Sequence, residues 1–488
     1  MNFDVSNLYS ATAEIFVAIM VLAIMLATAF ARSIARGLAY AFVQVTLIVA
    51  AFITFFTLDP GSDFAFNNMF VRDQTGSVLK LTVYLSMMVA LLYGRGYLAD
   101  RKLDRPEYYL LALLATLGMM VMVTANHLLS LYVGLEMMSL ALYALVAFDR
   151  DSVRSTEAGM KYFVLGALAS GLLLYGMSMI YGATGSLELP VVKNAVLGVK
   201  DPKMVMVLLL GIVFLIAGIS FKLGVVPFHM WVPDVYQGSP TAVTLILSSA
   251  PKLAAFALAI RLLAGALPDL VGHWQSMLLF VAAASIVLGN FAALAQHNIK
   301  RMLAYSGISH MGFMLLGLLS GGDGTGYSSA MFYTITYALM TLAAFGMVVL
   351  LAREGFEAEN IEDFKGLNRR SPWFALLMLF VMFSMAGIPF FVGFFAKLSV
   401  LQAVIHAGYL WVAVLAVVMS LIGAFFYLRI VKIMYFDEPV DDTPIKASGE
   451  LRIMLSINGV AIALLGLMPG TLLKWCEEAM KTAFMVGG

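Results

Sequence analysis

The sequence predicts an all-α, polytopic membrane protein of about fourteen transmembrane helices, and three observations carry that prediction. Of its 488 residues 62% are hydrophobic and only 12% charged, against roughly 25% charged in soluble chains. The mean hydropathy is +0.93. Apolar runs of about 20 residues, enough to cross a hydrocarbon core of about 30 Å, recur from end to end with short loops between them. No stretch is left over for a soluble domain.

The first run, 11–31, keeps company with Asp4 and Glu14 instead of the basic start of a signal peptide, and reads as a retained span. Runs at 37–57 and 77–97 complete an N-terminal three-helix segment, 1–106. Spans four to eight follow at 107–125, 127–148, 156–183, 203–233 and 240–265; spans nine to thirteen lie at 274–296, 298–320, 325–352, 372–398 and 406–434. The last, 451–470, opens the C-terminal helix and tail, 451–488. When alternate loops are assigned to opposite sides, one side collects most of the basic residues, among them Arg36, Arg101, Arg154, Lys300, Arg301, Arg353, Arg369 and Lys446. The other receives Arg72, Lys80, Lys193, Lys200, Lys203, Lys474 and Lys481. By the positive-inside rule the first side is cytoplasmic, and an even span count then puts both termini outside.

Two spans are interrupted alike. The seventh carries Gly218, Gly224, Pro227 and Pro233 around Lys222 and His229; the twelfth carries Gly387, Pro389 and Gly393 ahead of Lys397. Proline removes a backbone donor and clashes with the carbonyl four residues back, so each segment should open inside the membrane. Open backbone survives there only when buried in protein or lining a wet cavity. The two breaks lie five spans apart, an odd interval, so the second unit starts from the opposite side. This arrangement predicts two inverted five-helix repeats, 107–265 and 274–434, of the kind whose paired broken helices mark an ion site.

Five charges sit deep inside the apolar runs: Glu136, Lys161, Lys222, Lys252 and Lys397. Each costs roughly 2.5–3.5 kcal/mol at the bilayer centre, on the order of 15 kcal/mol together, unless paired or hydrated. Glu136 has no second charge at helical spacing in its own span, so its partner must come from another helix, and Lys222 beside the seventh-span break is the candidate. A fixed ion pair joining two helices is the alternative. One carboxylate cannot neutralise four lysines, so some of them must be hydrated or switchable. Burial disfavours an ammonium and a nearby carboxylate favours it, so a lysine whose partner moves can load and release a proton. Lys161 lies about a turn from the membrane edge, where snorkelling to water competes with function. Lys252 follows Pro251 deeper in its span, Lys397 lies about two turns past Pro389, and Lys300, Arg301, Arg261 and Arg429 read as interfacial anchors. His229 and His310 are natural relays, with satisfied core histidines and haem ligation between helices as rival readings.

The 33 methionines and 34 phenylalanines read as packing, and Gly166, Gly171 and Gly176 with Ala167, Ala169 and Ser170 as a close helix-packing face of the sixth span. Net charge +1 argues against a nucleic-acid surface, and the single Cys476 excludes an internal disulfide and a cluster held by this chain alone. No phosphate loop, zinc spacing or dinucleotide fingerprint is present.

Four stretches together resemble a known family over nearly the whole chain. They are Asn126-His127-Leu128-Leu129-Ser130-Leu131-Tyr132-Val133-Gly134-Leu135-Glu136, the run Phe221 to Pro240, the run Asn298 to His310, and Ala386-Gly387-Ile388-Pro389 with Gly393 and Lys397. The pattern is similar to the antiporter-like membrane subunits of respiratory complex I, the proton-pumping NADH:quinone oxidoreductase, and among them to the N-type, the counterpart of mitochondrial subunit 2. L-type chains look longer, with a lateral helix; M-type chains tend to carry glutamate where Lys397 stands. Both, like the related Mrp cation/proton antiporter subunits, tend to have an Ala-His-Xaa-Glu-Ala-Pro type sequence where this chain has Val235-Tyr236-Gln237-Gly238-Ser239-Pro240.

The resemblance implies a proton-translocating subunit of the bacterial inner membrane. Glu136 and Lys222 would be the coupling pair, Lys161 its modulator, Lys252 the connection between half-channels and Lys397 the terminal site. It implies no cofactor in this chain, with FMN, iron–sulfur clusters and quinone in other subunits, and flanking subunits M, K and J. An Mrp-type antiporter subunit and a proton-tight structural scaffold are the alternatives.

Overall fold

The computed structural model describes residues 5–30, 32–58, 61–321, 325–439, 445 and 447–485. Among them, thirteen helices are long and apolar enough to cross a membrane, and two shorter apolar helices, Pro372–Ala386 and Val392–His406, make one further span in two pieces. The fourteen crossings match the sequence reading in order. The first three are Thr12–Phe30, Leu38–Phe56 and Gln74–Asp100. The fourth to sixth are Pro106–Val123, Leu128–Val146 and Val153–Thr184. The seventh is broken into Pro202–Leu223 and Trp231–Gly238. The eighth spans Thr241–Ala266, the tenth Ile299–Leu319 and the eleventh Thr325–Leu351. The ninth is Val271–Leu294, the thirteenth Leu410–Phe436 and the fourteenth Gly449–Leu467. Their ends carry the expected signals: Asp73, Ser152 and Asn298 cap helix N-termini through their side chains, and Pro106, Pro202 and Pro372 open helices where no N–H is needed.

Burial sorts the spans. The eighth is buried along its whole apolar window, and the tenth and eleventh along 94% of theirs. Lys252 and His310 therefore face protein, not lipid. The first, second and fourteenth, buried by 28%, 33% and 33%, form the rim.

Each five-helix block opens with a glycine-mediated helix pair. A Cβ on Gly118 would lie 2.4 Å from the Met138 nitrogen and one on Gly134 2.6 Å from the Met122 nitrogen, so the fourth and fifth spans meet backbone to backbone. In the second block a Cβ on Gly289 would lie 2.7 Å from the Ser309 nitrogen, joining the ninth and tenth spans in the same way. On the sixth span the packing face is narrower than the sequence suggested. Gly166 lies under the Tyr143 ring and Gly176 against the backbone of Gly211 and Leu215, but Gly171 has nothing within 4 Å and Ala167 is exposed. Helical periodicity sets the difference, because Gly171 lies five residues from both Gly166 and Gly176 and so turns off their face. Gly134→Leu is expected to abolish membrane assembly, since the contact has no side chain that can give way, while Gly171→Leu is expected to assemble as the parent does. Immunoblots of the membrane fraction compare the two.

Several features went unforeseen. The eighth span is kinked at Ser249 (φ −114°, ψ −90°), just before Pro251, and finishes in a π-helical turn, Ile260–Ala266. The loops hold a short helix, Leu189–Val196, and a two-stranded antiparallel hairpin, Asp63–Ala65 with Phe70–Arg72. A terminal helix, Pro469–Met485, packs on the third and eleventh spans, where the Thr75 hydroxyl donates to the Ala479 carbonyl at 2.7 Å. Lys446, placed in a loop by the sequence, lies outside the described residues.

Candidate functional site

The seventh span stops at Gly224, whose left-handed φ of +76° ends the helix and turns the chain into the linker 225–230. A helix cut in mid-membrane leaves carbonyls without partners. Here they are met by side chains from other helices. The Lys252 ammonium donates to the Leu223 carbonyl at 2.7 Å and the Lys222 carbonyl at 3.5 Å, and Trp231 Nε1 donates to the Phe221 carbonyl at 3.0 Å. Lys252 Nζ also stands 5.3 Å from the Trp231 ring centre. The kink that places Lys252 is itself satisfied. Pro251 cannot donate to the Leu247 carbonyl, and the Tyr236 hydroxyl does so at 3.2 Å.

The twelfth span repeats the device with different parts. It stops at Gly387 (φ +85°), and the Lys397 ammonium reaches back across the break to the carbonyls of Met385 (3.1 Å) and Ala386 (3.0 Å) and to the Ser420 hydroxyl of the thirteenth span (2.9 Å). The Ser384 hydroxyl accepts from the Gly393 N–H at 3.0 Å, tying the second half-helix to the first. In both blocks, then, a lysine ammonium sits on the negative end of a half-helix, where the macrodipole favours a cation.

Glu136 and Lys222 are brought near each other but not into contact. No direct ion pair joins them. The Lys222 ammonium donates to Ser139 Oγ at 2.8 Å and Tyr143 OH at 3.5 Å, and Glu136 Oε1 is buried without a hydrogen-bond partner. Glu136, Ser139 and Tyr143 lie at helical spacing on one face of the fifth span, and Lys222 meets that face at Ser139 and Tyr143, not at Glu136. The fixed-pair alternative therefore fails as to contact. Lys161 faces outward with its side chain 45% exposed and pairs with Glu157 (2.9 Å) and Asp234 (3.1 Å). His229 lies in the linker of the seventh-span break, half-buried. His310 is buried between hydroxyls, Tyr333 OH at 2.7 Å from Nδ1 and Tyr427 OH at 3.1 Å from Nε2, and Tyr427 continues to the Ser306 hydroxyl at 2.5 Å. With both ring nitrogens engaged, the haem-ligand reading loses this residue. Among the described residues no hydrogen bond joins Lys252 to His310.

Three basic residues depart from the sequence reading. Lys300, taken as an interfacial anchor, is 1% exposed and donates to the Ser239 carbonyl at 2.7 Å, just past the short half-helix Trp231–Gly238. Lys80, assigned to a loop, lies on the third span in a buried pair with Glu14 at 2.8 Å. Arg261 is no anchor either; it donates to both oxygens of buried Asp73 at 3.0 Å and to the Val123 carbonyl at 2.6 Å. That pair lines a cavity of about 960 Å³, with Lys193, Asp269 and Glu477, at the end of the bundle where the even-numbered spans finish. Ser139, Tyr143, Trp231 and Ser420 are site residues the sequence reading missed. The first two were within reach, because they share the helical face of Glu136; the contacts of Trp231 and Ser420 exist only once distant spans pack.

Half-helices capped by lysines within a bundle of fourteen crossings define an antiporter-like ion-translocating membrane fold. Residues 125–423 match the family described as NADH:quinone oxidoreductase/Mrp antiporter, TM. The chain belongs to the NADH-quinone oxidoreductase subunit N family. The relative of that name from Azoarcus sp. (strain BH72) is 69% identical over 483 residues, 98% of each chain, and that from Nitrosomonas europaea is 55% identical over 482 residues, 99% of each. A chain of respiratory complex I from Thermus thermophilus with bound aureothin superposes with a TM-score of 0.81 at 33% identity, covering 95% of this chain and 98% of that one. A chain of the Mrp complex from Dietzia sp. DQ12-45-1b shares the fold, with a TM-score of 0.84 at 23% identity over 98% of this chain and 99% of its own.

Proposed function

We propose that this chain is the N-type proton-translocating subunit of the membrane arm of NADH:quinone oxidoreductase, carrying protons outward through buried side chains while electrons pass from NADH to quinone elsewhere. The observation that carries the reading is the recurrence, in two interrupted spans, of an ammonium resting on freed helix carbonyls. A group held this way is pinned by dipoles rather than by a countercharge, so it can give up its proton without stranding a buried carboxylate.

In this reading Glu136 and Lys222 form the coupling unit through Ser139, Lys161 modulates it, Lys252 links it to the second block, and Lys397 is the terminal site. His310, with Tyr333 and Tyr427, and His229 serve as relays. The blocks 107–265 and 274–434 act as inverted repeats. The chain itself performs no redox step and holds no cofactor; FMN, iron–sulfur clusters and quinone belong to other subunits, and subunits M, K and J flank it. It lies in the bacterial inner membrane with both termini on the outer side.

The test is affinity purification of the tagged chain from its own membranes, then proton uptake by inverted vesicles in sodium-free buffer. Co-purification of a flavin-bearing arm and NADH-driven uptake without sodium are expected. Uptake that requires sodium, with no flavin-bearing partner, would transfer the assignment to a cation/proton antiporter.

A further inference from the structure

The short half-helix Trp231–Gly238 is held from outside by cations of both blocks. Arg301 Nη1 of the tenth span donates to Asp234 Oδ1 at 2.7 Å and to Gln237 Oε1 at 3.1 Å. Arg154 of the sixth span reaches the Gln237 carbonyl at 3.3 Å, and Lys300 holds the Ser239 carbonyl. The other oxygen of Asp234 takes Lys161, at 3.1 Å. One carboxylate is thus shared between the lysine of the first block and an arginine of the second. It lies three residues beyond Trp231, whose ring stacks on Tyr162 at 4.5 Å and whose N–H closes the α-helical end at Phe221. Tyr162 in turn meets Tyr143, a partner of Lys222.

We propose that Asp234 is a further positioning residue of the proton path: it is the alternative partner that draws Lys161 away from the Glu136–Lys222 unit, and Arg301 sets how strongly it does so. The proposal rests on the reading of Glu136 and Lys222 as the coupling unit. Lys161 has two states to choose between. Bound to Asp234 and Glu157 it is at the rim; released, its charge is free to act on the coupling unit. Competition by Arg301 for the same carboxylate ties that choice to the tenth span. The other charged group packed on Lys161 is Glu157, one turn back on its own helix, which keeps the lysine partly paired in either state.

The test uses the intact complex in inverted membrane vesicles and reads protons taken up per NADH oxidised, with assembly checked by native gel. Asp234→Asn is expected to lower the ratio about threefold to fivefold, the scale of a half-exposed ion pair, and Asp234→Glu to restore most of it. Lys161→Ala alone and the double variant with Asp234→Asn are expected to be equally impaired, because both residues act through one contact. An assembled Asp234→Asn complex that pumps like the parent would overturn the proposal, as would losses that multiply in the double variant. Should Asp234→Asn not assemble, Arg301→Gln takes its place. It removes the competing cation, so it should change the ratio in the parent and not in the Lys161→Ala background; equal changes in both would overturn the proposal. Glu136→Ala run alongside separates the two levels. If it pumps normally the coupling-unit reading falls, and if it is impaired while Asp234→Asn is not, only the role of Asp234 falls.

Discussion

Lys222→Ala is expected to leave the complex assembled and to cut NADH-driven proton uptake by about tenfold or more, equivalent to about 1.4 kcal/mol or more on the barrier. The size follows from what surrounds the ammonium. Its hydrogen-bond partners are hydroxyls, Ser139 and Tyr143, and these do not exchange protons on their own near neutral pH. With Lys222 gone, the ammonium that these hydroxyls hold is lost from the route between Glu136 and Lys252. Assembly should survive because the ammonium closes no inter-helix ion pair, and alanine in a helix costs nothing in propensity. Glu136→Gln, which keeps the volume and removes the charge, is expected to give a loss of the same order. Proton uptake measured with a pH-sensitive dye in inverted vesicles, normalised to NADH oxidation, checks both. Normal uptake in both variants would support the scaffold reading instead.

The order of the spans was legible because lipid imposes it. A run of about 20 apolar residues has few alternatives, and Gly-Pro pairs at 224–227 and 387–389 mark breaks that a continuous helix backbone cannot bridge. The kink at Ser249 was not, although Pro251 was in plain view, because its orphaned carbonyl is rescued by Tyr236 from another span. The charges divide in the same way. Lys252 and Lys397 stood out because nothing near them in the chain explains a cation in oil. Lys300 and Arg261 were misplaced because each lies close enough to a helix end to pass as an anchor, and Lys80 because it lies close enough to one to be counted with a loop. Their real partners, Ser239, Asp73 and Glu14, are 61, 188 and 66 residues away. The expected contact between Glu136 and Lys222 paired the right helices, but it could not anticipate that the ammonium would settle on Ser139 and Tyr143 instead of the carboxylate.

The second large effect is expected at Lys252, and it separates holding the break from carrying the proton. Lys252→Met keeps most of the side chain's length and apolar surface but removes the donor, leaving the carbonyls of Leu223 and Lys222 facing a thioether inside a fully buried span. A charge-assisted hydrogen bond of this kind contributes about 2 kcal/mol, so its loss should raise local opening at the break by roughly thirtyfold. The opening should release the N–H groups of Gly224 and Val225 from the Ser220 carbonyl and stay local, because Trp231 still holds the Phe221 carbonyl and the Ser285 hydroxyl the Val226 N–H. Hydrogen–deuterium exchange read by mass spectrometry across residues 221–231 measures it, with the 384–393 stretch as an internal reference that Lys397 keeps closed. Proton uptake should fall together with the rise in exchange. If exchange stays at the parent level while uptake is lost, Lys252 acts on the proton alone and the break is held by its backbone and Trp231. If exchange rises and uptake persists, the lysine is a helix cap and the path between the two blocks runs through other groups.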